Sequence, residues 1–246
     1  MGCRKCIDAC QNNALSWDGF GIKINREICI SCGICTSTCN SEALDLAGKT
    51  MSVSEVLEIV NKDSSFYEQS GGGITFSGGE ALLQIDFLYE LAKACKDQNL
   101  NTCIETSGYA SWKSLEKVMP LIDLFLFDIK TIDDESHKKN IGVSNKLILS
   151  NFEKLINAGA NVCVRIPIIP GFNDSESNIT NTIDFLKKHG NNCTVSLLPY
   201  HTLGVTKYKK LDMEYSLADV PTPSQESMQE IAEMFNKNGF YTTIGE

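Results

Sequence analysis

The sequence predicts an α/β fold, a partial (β/α) barrel preceded by a small cysteine-rich subdomain. Three observations point there. Seven of the eleven cysteines fall within the first 39 residues. From residue 50 onward, short apolar segments alternate with amphipathic ones, the pattern of repeated βα units. Polar, glycine-rich or proline-rich signatures then follow one apolar segment after another, as happens where a pocket is built at the C-terminal mouth of a barrel. The division expected is 1–48 for the head and 49–246 for the barrel.

In the head, Cys29, Cys32, Cys35 and Cys39 read C-x2-C-x2-C-x3-C. This is the bacterial ferredoxin run for [4Fe–4S] clusters. The x2 gaps let three thiolates converge on three corners of a cube, and the fourth leaves on a helical turn toward a second cluster. Asn40 stands where a proline is usual. Cys3, Cys6 and Cys10 repeat the last three members of the run, and ACQNNAL at 9–15 matches TCNSEAL at 38–44. The duplication predicts two clusters in a ferredoxin-like 2x[4Fe–4S] subdomain. Extrapolated backward, the repeat puts the eighth ligand at position zero, so one cluster is expected to be incomplete. A zinc knuckle or free thiols are the alternatives, and zinc sites rarely use such a doubled array.

In the body, Ser52 and Glu55 form a capping-box signature opening a helix through about Lys62. Strands are expected at 73–76, 101–104, 124–127, 162–166, 194–198 and 240–244. Helices are expected at 82–96, 111–119, 146–157, 179–189 and 225–238. Continuous apolar strands such as LFLF argue for a parallel sheet, and the chain length suits a full or partial TIM-like barrel. An exposed edge near 74–76, prone to pairing with another copy, follows if a first βα unit is missing.

The strand ends carry the chemistry: SGGE at 77–80, ETSG at 105–108, DIK at 128–130, RIPIIPG at 165–171 and PYH at 199–201. Each has a plainer reading. Gly71, Gly72 and Gly73 also suit a flexible entry to a strand, and Gly78 and Gly79 an ordinary turn. Asp128 and Lys130 also suit a structural ion pair, and His201 a structural histidine. Lys207, Tyr208, Lys209 and Lys210 read as a solvated face or a loop over the mouth. Cys95, Cys103, Cys163 and Cys193 read as buried thiols.

The formal charge of −9 argues against a nucleic-acid partner. No apolar run reaches the roughly 18 residues of a membrane helix. The start, MGCRKCIDAC, lacks the pattern of a signal peptide. A cytoplasmic protein is expected.

Together the stretches SGGGITFSGGEALLQ, CIETSGY, LFLFDIK, RIPIIPGFND and LLPYHTLGVTKYKKL resemble the glycyl radical enzyme activating enzymes, radical SAM relatives of the pyruvate formate-lyase activating enzyme. The ferredoxin insert resembles the subset with two auxiliary clusters. The resemblance implies an anaerobic oxidoreductase. It binds S-adenosylmethionine on a [4Fe–4S] cluster, cleaves it with one electron, and uses the 5′-deoxyadenosyl radical to take hydrogen from a glycine of a partner enzyme. It implies a flavodoxin or ferredoxin as electron donor. By position, Gly78, Gly79 and Glu80 would hold the cofactor's amino group. Glu105 and Thr106 would correspond to a monovalent-cation site near its carboxylate, with Glu105 where the family often has aspartate. Asp128 and Lys130 would line the cofactor and glycyl-loop pocket. Arg165 and His201 would complete the cofactor contacts. Ala81 replaces the family's usual proline.

The family's active cluster uses C-x3-C-x2-C, which leaves one iron open. Cys6 and Cys10 have the x3 gap but are followed by Asn13; Cys35 and Cys39 have it but are followed by Glu42. The run is absent. An N-terminally truncated chain, inactive as written, is the leading expectation. A degenerate paralogue acting as a non-catalytic iron–sulfur interaction or electron-carrier protein is the rival, and a partner peptide that supplies the missing segment is a third reading.

Overall fold

The computed structural model describes residues 2–190 and 192–245. The chain divides after Ser52 into two compact units. No residue from 38 to 52 lies in a helix or strand, and the boundary expected after Gly48 falls in that stretch.

The first unit holds helix α1 (Lys5–Asp8), an antiparallel pair β1 (Leu15–Trp17) and β2 (Ile22–Ile24), and helix α2 (Ile34–Ser37). The sequence duplication is also a duplication of backbone. Left-handed residues precede both helices, Arg4 at φ 58° and Gly33 at φ 78°. A second left-handed pair, Asn13 and Glu42, both at φ 51°, follows them. Asn and Gly tolerate that region; Arg and Glu enter it at a cost of about 1–2 kcal/mol, which the fold must offset.

The second unit opens with α3 (Val53–Val60), a 3-10 turn and α4 (Ser64–Ser70). It continues β3 (Gly73–Phe76), α5 (Ile85–Asp97), β4 (Asn101–Thr106), α6 (Trp112–Val118), β5 (Leu124–Asp128), α7 (Asp134–Ile141) and α8 (Lys146–Asn157). It ends with β6 (Val162–Ile168), α9 (Glu176–His189), β7 (Thr194–Pro199), α10 (Val205–Lys210), α11 (Gln225–Lys237) and β8 (Thr242–Ile244). Six parallel strands form one open sheet in sequence order, with β3 and β8 at its edges. This is the partial barrel the sequence predicts.

All six expected strands form; four run one or two residues farther than expected and the last is shorter. Serine or aspartate side chains cap helix starts. Ser111 accepts from the Ser114 amide, Ser175 from Asn178 and Ser224 from Ser227. Each such cap is worth about 1 kcal/mol. Helix α7 was not expected, because DESHKKNI has no apolar stripe. It forms because Asp133 caps it and Gly142, at φ 89°, ends it. Lys207–Lys210 lie on short helix α10.

The sheet has one fully buried apolar face and one half-buried mixed face. Ile104, Phe125, Phe127, Val162, Val164, Ile166, Val195 and Leu197 are at most 2% exposed and form the core with the helices. The alternate residues share the other face, because paired residues in parallel strands point the same way. There Glu105 pairs with Leu126, Leu126 with Cys163, and Asp128 with Arg165. Cys103 and Cys163 are therefore only half-buried, unlike the buried Cys95 and Cys193. Strands that read as unbroken apolar runs thus alternate at their ends, where charge begins. Among the described residues, no helix is long and apolar enough to cross a membrane.

Candidate cofactor-binding site

In the first unit none of the seven cysteines is in a disulfide. Cys6 lies on α1 and Cys35 on α2, in equivalent places. The Ala14 amide donates to Cys10 Sγ and the Ala43 amide to Cys39 Sγ, both at 3.3 Å. N–H donors aimed at sulfur stabilise thiolates and tune cluster potentials. Among the described residues no three such groups close on the position of a single metal ion. A cubane spreads its thiolates over four iron corners, not one point. The donor set, all thiol and doubled in backbone as in sequence, fits iron–sulfur cubes.

In the second unit the site is built at the C-terminal ends of β3, β4 and β5 and at the middle of β6. Arg165 on β6 is the hub. Its Nη1 lies 3.1 Å from Glu105 Oε1 on β4, and its Nε 3.8 Å from Asp128 Oδ1 on β5. Lys130 Nζ stands 3.6 Å from Asp128 Oδ2. Ser77, just after β3, donates from Oγ to Glu105 Oε2 at 2.6 Å. Four adjacent strands thus share one network of two carboxylates and two cations. Burial pushes the Asp128 carboxyl above its ordinary value; Lys130 and Arg165 oppose that, and Glu105 adds to it. Asp128 Oδ1 is buried with no hydrogen bond.

The glycine loop is held from below. Glu80 Oε1 accepts from Thr106 Oγ1 at 2.8 Å, and Oε2 from the Ser107 amide at 3.0 Å and Ser107 Oγ at 2.7 Å. Both carboxylate oxygens of Glu80 are spent fastening the loop to the end of β4. What Gly78 and Gly79 can offer a ligand is backbone. Gly78 has φ +126°, which only glycine adopts readily. No positive φ explains Gly79, and a Cβ built there meets no atom within 4 Å. Gly79 is exposed, so its backbone stands open to a small polar group of a ligand.

The structure does not bring every expected residue together. Thr106 is buried on the face opposite Glu105, and its hydroxyl is committed to Glu80. His201 is exposed, and its ring nitrogen Nδ1 accepts from the Leu203 amide at 3.3 Å, capping a 3-10 turn. Gly108 serves packing: at φ +69°, a Cβ there would lie 2.1 Å from Phe127 Cζ.

Three site residues, Asn151, Asn173 and His137, carry no signal in the sequence. Ser77 was noticed only as part of SGGE. Buried Asn151 on α8 donates to Gly108 O and Ala110 O, each at 2.8 Å, and holds the loop after β4. Buried Asn173 donates to Lys130 O and Pro167 O, each at 2.7 Å, and fastens the loop after β5 to β6. A lone asparagine gives no sequence signal. His137 on α7, 2% exposed, bonds Val143 O through Nδ1 at 2.7 Å. It lines a cavity of about 190 Å³ with Ser107, Tyr109, Asp128, Lys130 and Ile141.

Comparison with known proteins agrees. Residues 29–196 match the Radical SAM superfamily and residues 1–43 a 4Fe-4S dicluster domain. The (2S)-3-sulfopropanediol dehydratase activating enzyme of Klebsiella oxytoca is 41% identical over 250 residues, covering 99% of this chain and 79% of that protein. The trans-4-hydroxy-L-proline dehydratase activating enzyme of Clostridioides difficile is 39% identical, covering 99% and 81%. A solved domain of a pyruvate-formate lyase-activating enzyme from Bacteroides vulgatus superposes with a TM-score of 0.61 at 32% identity, covering 71% of this chain and 99% of that one. A radical SAM methyltransferase from Sphaerobacter thermophilus, 15% identical, shares the fold at a TM-score of 0.61. With its cysteine repeat and its charged strand ends, the chain belongs to the glycyl radical enzyme activating enzymes of the radical SAM superfamily.

Proposed function

We propose that this chain binds S-adenosylmethionine and the glycine loop of a partner glycyl radical enzyme at the ends of β3 to β7, and carries two auxiliary clusters in its head. The observation that supports this most is the network of Ser77, Glu105, Arg165, Asp128 and Lys130 beside an exposed glycine loop. Bound to an open cluster iron and given one electron, S-adenosylmethionine supplies the 5′-deoxyadenosyl radical that takes hydrogen from the glycine.

The protein's share is binding, orientation and exclusion of water. The backbone at Gly78 and Gly79 receives the cofactor's amino group, with Glu80 bracing the loop. Arg165 offers positive charge to the cofactor's carboxylate. Asp128 and Lys130 line the space between cofactor and partner glycine, next to the cavity that Tyr109 and His137 complete. His201, exposed just past β7, would reach the cofactor with the side of its ring that Leu203 leaves open. The thiolates of Cys3, Cys6, Cys10, Cys29, Cys32, Cys35 and Cys39 hold the relay clusters, fed by a flavodoxin or ferredoxin.

These 246 residues contain no C-x3-C-x2-C run. Alone, they therefore lack the ligand run of the family's S-adenosylmethionine-binding cluster, and the reaction needs that run from outside them. The same fact favours one rival, a non-catalytic iron–sulfur carrier of this family. The test is anaerobic reconstitution with iron and sulfide, then S-adenosylmethionine and reductant, with and without a peptide or N-terminal extension bearing the run. Bound iron in both, with 5′-deoxyadenosine only when the run is supplied, is expected. 5′-Deoxyadenosine from the chain alone refutes the site assignment. None in either case leaves the carrier.

A further inference from the structure

The family resemblance implies a monovalent cation near the cofactor's carboxylate, held around Glu105 and Thr106. The donor set does not fit one. Thr106 presents its hydroxyl to Glu80 on the opposite face of β4. Glu105 has one oxygen on Arg165 at 3.1 Å and the other on Ser77 at 2.6 Å. Asp128, the next carboxylate, stands 3.6 Å from Lys130, and its Oδ1, buried without a hydrogen bond, faces the Arg165 guanidinium at 3.8 Å. Two carboxylates face two protein cations, so the cluster is already neutral. A metal cation placed there would sit against a guanidinium, and like charges at that distance in a half-buried site repel strongly.

The chain length of the two side chains makes the substitution possible. Glu105 is on β4 and Arg165 on β6, with β5 between them. Two strand spacings are roughly 9–10 Å, and only long side chains meet across them. An aspartate at 105, one methylene shorter, falls back from the guanidinium and leaves its carboxylate to another cation.

We infer that Arg165, reaching across β5 to Glu105, supplies the fixed positive charge of this pocket in place of an alkali-metal ion. The pocket's electrostatics are then independent of sodium and potassium. The inference rests on the proposed reading only for what that charge is used for, namely the carboxylate of a bound amino acid-like cofactor.

The test is thermal unfolding of the whole chain, anaerobic and without S-adenosylmethionine, in sodium, potassium or tetramethylammonium chloride at one fixed ionic strength. Because no cofactor is present, failure of the activating-enzyme reading leaves the outcome untouched. The wild-type midpoints are expected to coincide. A ligand bound only by the folded state raises the midpoint, by roughly 3 °C at ten times its dissociation constant. A rise of that size in sodium or potassium over tetramethylammonium overturns the inference, and this arm decides even if every variant misfolds. Arg165→Met and Glu105→Asp, checked for folding by circular dichroism, are expected to gain that dependence, and Arg165→Lys to stay indifferent. A folded Arg165→Met protein that remains indifferent also overturns it.

Discussion

Ser77 Oγ donates to Glu105 Oε2 at 2.6 Å, joining the loop after β3 to the strand end that Arg165 grips from two strands away. The glycine loop and the charged network are thus one assembly. Nothing else in SGGE reaches that carboxylate, because Glu80 turns to Thr106 and Ser107.

Ser77→Ala removes this tie and little packing. A hydrogen bond to a charged group contributes about 1.5–3 kcal/mol when buried and less when exposed, as here. The expected stability loss is about 1 kcal/mol. The larger effect falls on ligand binding, with roughly 3- to 10-fold weaker S-adenosylmethionine binding by anaerobic equilibrium dialysis, as loop and network lose their register. Unchanged affinity beside a large drop in melting temperature reverses that assignment.

Asp128 separates function from stability. Burial raises its carboxyl pKa, with Lys130 and Arg165 only partly offsetting it. A raised folded value means the carboxyl contributes most below its unfolded value of about 4. That contribution is lost as pH rises through the folded value. At pH 7.5 the ionised group costs stability. Asp128→Asn is expected to melt at or above wild type at pH 7.5, while binding of cofactor and glycine-loop peptide falls. A midpoint clearly below wild type shows instead that the ion pairs outweigh the desolvation.

Gly108→Ala is expected to be severe. The new Cβ meets Phe127 Cζ at 2.1 Å, and φ +69° is unfavourable for alanine. Phe127 is fully buried, so it cannot yield cheaply. Overpacking and backbone strain together predict a loss of about 2–4 kcal/mol, read as a melting point lower by on the order of 10 °C. A midpoint within about 1 °C of wild type means that the loop after β4 shifts freely.

The cysteines divide by role. After anaerobic reconstitution, Cys35→Ala is expected to lose about half the bound iron. Cys95→Ala, at a fully buried thiol on α5, should lose none. Iron and sulfide assays decide. Equal iron in both variants removes Cys35 from the ligands.

Much was legible in the sequence. Six strands, their order of chemistry and the duplicated head follow from period, spacing and repeat, which are local and written along the chain. Gly73–Phe76 and Lys146–Asn157 form with the bounds their patterns predict. Helix α7 was not legible, since a cap and a terminating glycine create it without an apolar stripe. Nor were Asn151 and Asn173, whose roles exist only where loops from distant strands meet a buried amide.

By itself, the sequence determined the thiolate array, the parallel βα order and the residue types at each strand end, because each depends on neighbours within a few positions. Only the tertiary structure decided which face each side chain takes and whom it meets. Alternation along β4 sends Glu105 to Arg165 and Thr106 to Glu80, splitting a pair that is adjacent in the chain. A period of two along a strand, combined with parallel register, is a property of the sheet and not of any segment.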